Sequence, residues 1–365
     1  MQGELSGEKV IVAESEGEIF ELKEYGRKKG RLELSLEEAA FLLEKGKIAI
    51  KIKEGEKKEL ELNPEGFFKR ALDTSHKFDV RYLVYRDLKE RGYAVQPGGV
   101  DFWLYPRGAK PGEKPARYFI RILSERDFLS LKELVGMLIS ARNMRKEPII
   151  AVVDEESDIT YYEVKEPKFE VIEKREEIGK AKASLFGDRV VLWDADLAEN
   201  LHGAFFFGKL TKEKRLLLSL VEASYLMKKN LLAIEVREQK SENRPEPQTS
   251  NLKPMNFEQF IEYASSIESD FTDKYAVYED LEEKGLIVKT GFKFGSHFRV
   301  YKASQQKHSS YLIHVLPEEH VFSIPELSRA VRLAHGVKKR MVFSFIEKIG
   351  AESIVRYVDI GRMKL

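Results

Sequence analysis

The sequence predicts a mixed α/β protein built twice, each half a small helix-plus-strand unit followed by a larger α/β unit with a central mixed sheet. Three sets of self-matches carry that expectation. The segment RLELSLEEAAFLLEKGKIAIKI, beginning at Arg31, aligns without a gap to RLLLSLVEASYLMKKNLLAIEV, beginning at Arg215. The segment YLVYRDLKERGYAV, beginning at Tyr82, aligns to YAVYEDLEEKGLIV, beginning at Tyr275. Shorter matches then follow in the same order: DFWLYPRG from Asp101 with HFRVYKA from His297, YFIRIL from Tyr118 with YLIHVL from Tyr311, and MRKEPIIAVV from Met144 with VKKRMVFSFI from Val337. Coincidence does not produce so many matches in one order, so internal duplication sets the architecture before any single element does.

Each element has a local reason. Ser35 followed three residues later by Glu38 is a capping box, in which each side chain satisfies a free backbone N–H at a helix start, and Ser219 with Glu222 repeats it. The apolar stretches IAI and LLAIEV that close these segments read as strands. The second match reads as an amphipathic helix, a glycine stop at Gly92 or Gly285, and a strand. The resulting division is a first small unit at 1–65, a first α/β unit at 66–165, a linker at 166–186, a second small unit at 187–239, a linker at 240–255 and a second α/β unit at 256–365. The stretch 240–255 carries Pro, Ser and Asn without apolar periodicity, as a linker should, whereas the charged 166–186 is also compatible with a helix or an extended bridge.

Composition narrows the classes. A chain of 365 residues with 42% hydrophobic and 34% charged residues is globular and long enough for two or three domains. No run approaches eighteen apolar residues, and the first twenty residues carry acids where a signal peptide needs a basic and then an apolar stretch, so a cytoplasmic protein without a membrane span is expected. The absence of cysteine removes disulfides, thiolate nucleophiles and Cys-rich zinc sites, leaving His, carboxylate, Tyr, Ser and Lys for chemistry. Sixty-two basic residues against sixty-one acidic ones argue against a wholly basic coat for nucleic acid but leave room for a local patch.

That patch is in the second α/β unit. KTGFKFGSHFRVYKASQQKHSSYLIHV gathers Lys289, Lys293, Arg299, Lys302 and Lys307 around Tyr301 and His308, and SRAVRLAHGVKKRMVF adds Arg329, Arg332, Lys338, Lys339 and Arg340. Such clusters neutralise phosphates, and aromatic residues among them offer stacking surfaces for unpaired bases. A solvated basic face is the plain alternative. No histidine pair has HExxH spacing, and Asp154, Glu155 and Asp158 read as a turn between strands.

KTGFKFGSHFRVY, HSSYLIHV from His308 and AVRLAHGVKKRMVF resemble the archaeal tRNA-splicing endonucleases, as does the upstream DRVVLWDADLAENL. The resemblance runs from Gly187 to the C-terminus, and the first half is similar to a noncatalytic copy of the same nuclease-like α/β unit. It implies Tyr301, His308 and Lys339 as the catalytic set, and Arg332 and, less directly, Arg362 as arginines that hold a bulged base by cation–π contact. It further implies precursor tRNA with a bulge-helix-bulge as substrate, 2′,3′-cyclic phosphate and 5′-hydroxyl products, and neither cofactor nor metal. The seven-residue step from Tyr301 to His308 is short for the family and Lys338 stands where arginine is more usual, but no reacting group is lost.

The residue types suit that chemistry. Cleavage by a neighbouring 2′-hydroxyl needs a base, an acid for the leaving 5′-oxygen and a cation for the phosphorane, which assigns Tyr301, His308 and Lys339 in turn. A histidine titrating near about pH 6.5 can both hold and release a proton at neutrality. In the first half Tyr105 and Lys146 align with Tyr301 and Lys339, but Pro115 falls opposite His308 and Ile139 opposite Arg332, so that half is expected to be structural. Excision of an intron needs two cuts and each chain has one full set, hence a homodimer is expected, with the acidic turns Glu318–Glu319 and Glu125–Asp127 as docking candidates. The rival readings are an RNA-binding scaffold with a vestigial site and a metal-dependent nuclease.

Overall fold

The computed structural model describes residues 1–12, 24–29, 31–54, 58–169, 179–237, 252–301 and 308–365. Residues 170–178 of the first proposed linker, 240–251 of the second, and the basic-patch residues Lys302 and Lys307 lie outside the described residues. The chain forms two compact units, one comprising 1–165, 321–332 and 360–365, the other 166–320 and 333–359.

In the first unit a six-stranded sheet runs Arg27–Lys29, Arg31–Ser35, Lys9–Val12, Gln2–Ser6, Ala49–Glu54, Lys58–Leu62. Gln2–Ser6 and Ala49–Glu54 are parallel, and a parallel pair needs a crossover, which the helix Leu36–Glu44 supplies. The predicted capping box starts it: Ser35 Oγ accepts from the Glu38 N–H at 3.2 Å while Glu38 accepts from the Ser35 N–H at 2.9 Å. The same carboxylate also accepts the Gly26 N–H at 2.9 Å, and burial first of all pushes Glu38 up to about 7. The second unit repeats the device, with Glu222 capping the helix Leu220–Lys228 and accepting the Gly208 N–H at 2.8 Å. Gly26 and Gly208 both have positive φ, and a Cβ there would press on the carbonyl of Glu33 at 2.7 Å or of Leu217 at 2.6 Å, so glycine is required at each.

The larger sheet region of the first unit has strands in the order Val95–Pro97, Phe102–Leu104, Tyr118–Ser124, Glu147–Val153, Ile159–Lys165. Its central pair, Tyr118–Ser124 with Glu147–Val153, is parallel and joined through the helix Leu131–Met144. Phe78, Tyr85, Phe102, Ile120 and Ile149 are fully buried between this sheet and the helix Phe78–Glu90. The second unit repeats the order with Ile287–Thr290, Phe298–Tyr301, Tyr311–Val315 and Arg340–Ile349, again with a parallel central pair. Phe271, Tyr278, Phe298, Val300, Ile313 and Val342 form its core, with the helix Phe271–Glu283 contributing the first two. The matching apolar positions explain why the duplication was legible: each aligned pair fills the same place in its own core.

Candidate active site

Backbone register brings three candidate residues to one end of the second unit's sheet. Tyr301 is the last residue of Phe298–Tyr301, whose Arg299 and Val300 pair with Leu312 and Tyr311. The Ser310 N–H donates to the Val300 carbonyl at 2.8 Å, so Tyr301 stands beside Ser310. On Ser310's other side, Arg340 donates its N–H to the Ser310 carbonyl at 3.1 Å and pairs with Tyr311, which sets Lys339 beside Ser310 as well. His308 comes two residues before Ser310 and is exposed. Tyr301 and Lys339 are thus two strand spacings apart, roughly 10 Å between backbones, with His308 on the segment between them.

Lys339 is held in place from two directions. Its N–H and that of Lys338 close the end of the helix Ile324–Gly336 on the carbonyls of Ala334 (2.9 Å) and His335 (3.0 Å), with Lys338 in the left-handed region that such a helix end needs. Its Nζ donates to the carbonyl of buried Ser309 at 2.8 Å and lies 5.3 Å from the centre of the Phe294 ring. Burial, and second the charge of Arg299, hold Lys339 below the ordinary lysine range. Arg299 is two residues before Tyr301, on the same strand face, and its guanidinium carbon is 5.8 Å from the Tyr301 ring centre. Residue counting placed Arg299 in the basic patch but assigned it no part. The signal was its period-two relation to Tyr301 in FRVY.

The first half shows the same frame with other side chains. Lys146 donates from Nζ to the Ala116 carbonyl at 2.7 Å, and its N–H reaches Ala141 at 3.0 Å behind a left-handed Arg145. Ala116 therefore occupies the place of Ser309, and Pro115 that of His308. The pairing of Phe102 with Ile120 repeats that of Phe298 with Ile313, which puts Tyr105 in the place of Tyr301 and Trp103 in that of Arg299. Tyr105 is buried against Ala94 and Ala116 and donates to Gln96 Oε1 at 2.9 Å, and burial raises it above the ordinary tyrosine range. Lys146 lies 5.2 Å over the Trp103 ring.

Arg332 and Arg362 belong to the first unit, where both are exposed and line one cavity of about 520 Å³ together with Arg86, Asp87, Asp154 and Asp158. Asp154 and Asp158 form the predicted turn, the Asp158 N–H donating to Asp154 Oδ1 at 2.8 Å. Asp87 is engaged by Arg91 at 2.9 Å and by the Tyr161 hydroxyl at 2.7 Å. Among the described residues neither Arg332 nor Arg362 forms an ion pair with a carboxylate. Among the described residues no three His, Asp or Glu side chains gather as a metal-binding group.

Comparison with known proteins agrees with a doubled architecture. The model of the tRNA intron endonuclease catalytic C-terminal domain matches residues 78–161 and again 271–357, and that of the tRNA intron endonuclease N-terminal domain matches 1–62 and 181–246. The class is therefore that of RNA endonucleases whose two domain types occur twice in one chain. The tRNA-splicing endonucleases of Methanosarcina mazei and Methanococcoides burtonii are 43% and 42% identical over 373 aligned residues, covering 100% of this chain and 99% and 100% of theirs. That of Haloarcula marismortui is 31% identical over 96% of this chain and 95% of its own. The chain belongs to the tRNA-splicing endonuclease family.

Proposed function

We propose that the protein cuts precursor tRNA at bulge-helix-bulge intron junctions without a metal, as a cytoplasmic homodimer, leaving 2′,3′-cyclic phosphate and 5′-hydroxyl ends. The observation that carries the reading is the meeting of Tyr301, the His308 segment and an anchored Lys339 at one sheet end in a chain of this family. Tyr301 takes the proton from the 2′-hydroxyl, whose oxygen attacks phosphorus. His308, exposed and free to meet RNA, gives a proton to the 5′-oxygen as its bond to phosphorus breaks. The Lys339 ammonium faces the charge that grows on the non-bridging oxygens. Arg332 and Arg362 offer their guanidinium faces to a base displaced from its stack.

The dimer follows from one complete set per chain and two cuts per intron. Of the acidic turns proposed to dock across subunits, Asp127 is already held by Lys77 at 2.6 Å and by the Ser124 N–H at 2.8 Å, and Glu318 accepts the Lys348 N–H at 3.5 Å, so Glu125 and Glu319 are the better contacts to mutate.

The test is incubation with a bulge-helix-bulge precursor in excess chelator, with the product ends identified. Cleavage to cyclic phosphate and 5′-hydroxyl ends is expected, and His308→Ala should lose on the order of 10²–10⁴-fold in single-turnover rate while RNA stays bound. Cleavage only after a divalent ion is restored would support the metal-dependent rival. Tight binding without any cleavage would support the scaffold.

A further inference from the structure

We propose that Arg299 is a further catalytic residue, a second cation that binds the scissile phosphate together with Lys339; this rests on the endonuclease reading above. Burial first, and then the nearby Arg299 charge, depress Lys339, and among the described residues no carboxylate pairs with either cation. Among the described residues neither side chain forms an ion pair, and the segment 302–307 that follows Tyr301, KASQQK, contains no acid. Like charges brought together without a counter-ion destabilise a fold, so such a pair points to an anion that completes the site on binding.

Arg299 has a second mark of an incomplete environment. Among the described residues its buried Nε has no hydrogen-bond partner. A buried guanidinium N–H without an acceptor is costly, and a phosphate presents the two adjacent oxygens that the guanidinium fork fits. The strand gives the direction: Arg299 and Tyr301 are two apart and share a face, and the guanidinium carbon is 5.8 Å from the phenol ring. A phosphate bridging Arg299 and Lys339 would therefore lie near the Tyr301 side chain, whose deprotonated oxygen takes the 2′ proton.

The two halves make the comparison that isolates Arg299. The first half keeps a lysine anchored on the equivalent carbonyl, 2.7 Å from Ala116 against 2.8 Å from Ser309. It also keeps a tyrosine, but it lacks the acid, and at the Arg299 position it has Trp103, over whose ring Lys146 sits at 5.2 Å. An aromatic ring satisfies one lysine without any anion. The half without the leaving-group acid is thus also the half without the second cation, as expected if Arg299 serves the reacting phosphate and not the sheet.

Single-turnover cleavage and RNA affinity should be measured on the full chain for Arg299→Lys, Arg299→Gln and Arg299→Ala, with thermal melting to verify folding. Arg299→Gln keeps the length and packing of the stem and serves where Arg299→Ala fails to fold. The neutral variants are expected to lose about 10²-fold in rate with RNA affinity changed less than about fivefold, and Arg299→Lys to recover at least tenfold over Arg299→Gln. Added guanidinium ion should raise the rate of Arg299→Ala, which a packing role would not produce. Rates within threefold of wild type for Arg299→Gln, or equal losses for Lys and Gln without guanidinium rescue, would overturn the proposal. A wild-type chain that fails to cut the precursor would overturn the endonuclease reading instead, so the two failures are distinguishable.

Discussion

Removing both surviving site residues of the first half, as Tyr105→Phe with Lys146→Ala, should injure stability and spare catalysis. Tyr105→Phe deletes a hydroxyl that donates to Gln96 at 2.9 Å from a buried ring, a loss of about 1 kcal/mol. Lys146→Ala deletes the 2.7 Å bond to the Ala116 carbonyl, about 1 kcal/mol for a half-buried donor. It also removes the contact with the Trp103 ring, about 0.5–1 kcal/mol. Together these amount to about 2–3 kcal/mol, which for a unit of this size lowers the melting temperature by roughly 5–10 °C. Single-turnover cleavage of precursor tRNA below that range should remain within about threefold of wild type, a barrier change of about 0.65 kcal/mol. Scanning calorimetry and quenched-flow cleavage on the same preparation measure both quantities. A variant that melts like wild type but cuts 10²-fold more slowly, still binding RNA, would refute the division of labour, because Tyr105 and Lys146 would then be reacting groups.

Arg332→Ala should weaken precursor binding about 10- to 30-fold, the loss expected of a desolvated cation–π contact of about 2 kcal/mol, with the rate at saturating enzyme changed less than threefold; filter binding against cleavage rate separates the two. His297 accepts the Val315 N–H at Nδ1 (2.9 Å), and burial first, then His314 and Lys274 against the opposing Asp270, push it down to about 4. Because the unfolded histidine takes up its proton near about pH 6.5, stability should be full above that value and fall as pH drops toward about 4, by about 1–2 kcal/mol after allowing for solvent at a half-buried ring; melting of His297→Asn across this window should show a weaker slope, and an unchanged slope would refute the assignment. Sedimentation velocity should give a species of twice 42.2 kDa, and a persistent monomer that still makes both cuts would rule out the dimer.

Sequence comparison within the chain was enough for the duplication, the capping boxes at Ser35 and Ser219 and the alignment of Pro115 with His308. These depend on contacts between residues a few positions apart, or on apolar periods that must recur wherever the same core recurs. Residue type also limited the chemistry, since a proline has no proton to give. The tertiary structure alone decided how long-range partners are shared. Asp101 and His297 look unrelated in the alignment, yet both accept the same strand N–H, from Ile122 at 2.8 Å and from Val315 at 2.9 Å. Each partner balances its acceptor differently: Arg81 at 2.6 Å neutralises Asp101, whereas the uncharged His297 leaves Lys274 to pair with Asp270 at 2.9 Å. Likewise the alignment of Tyr105 with Tyr301 left open what either side chain does. Burial of one against Ala94 and Ala116 is set by strand register and by side chains apart in the chain, which no local pattern encodes, whereas the other has Arg299 5.8 Å from its ring centre.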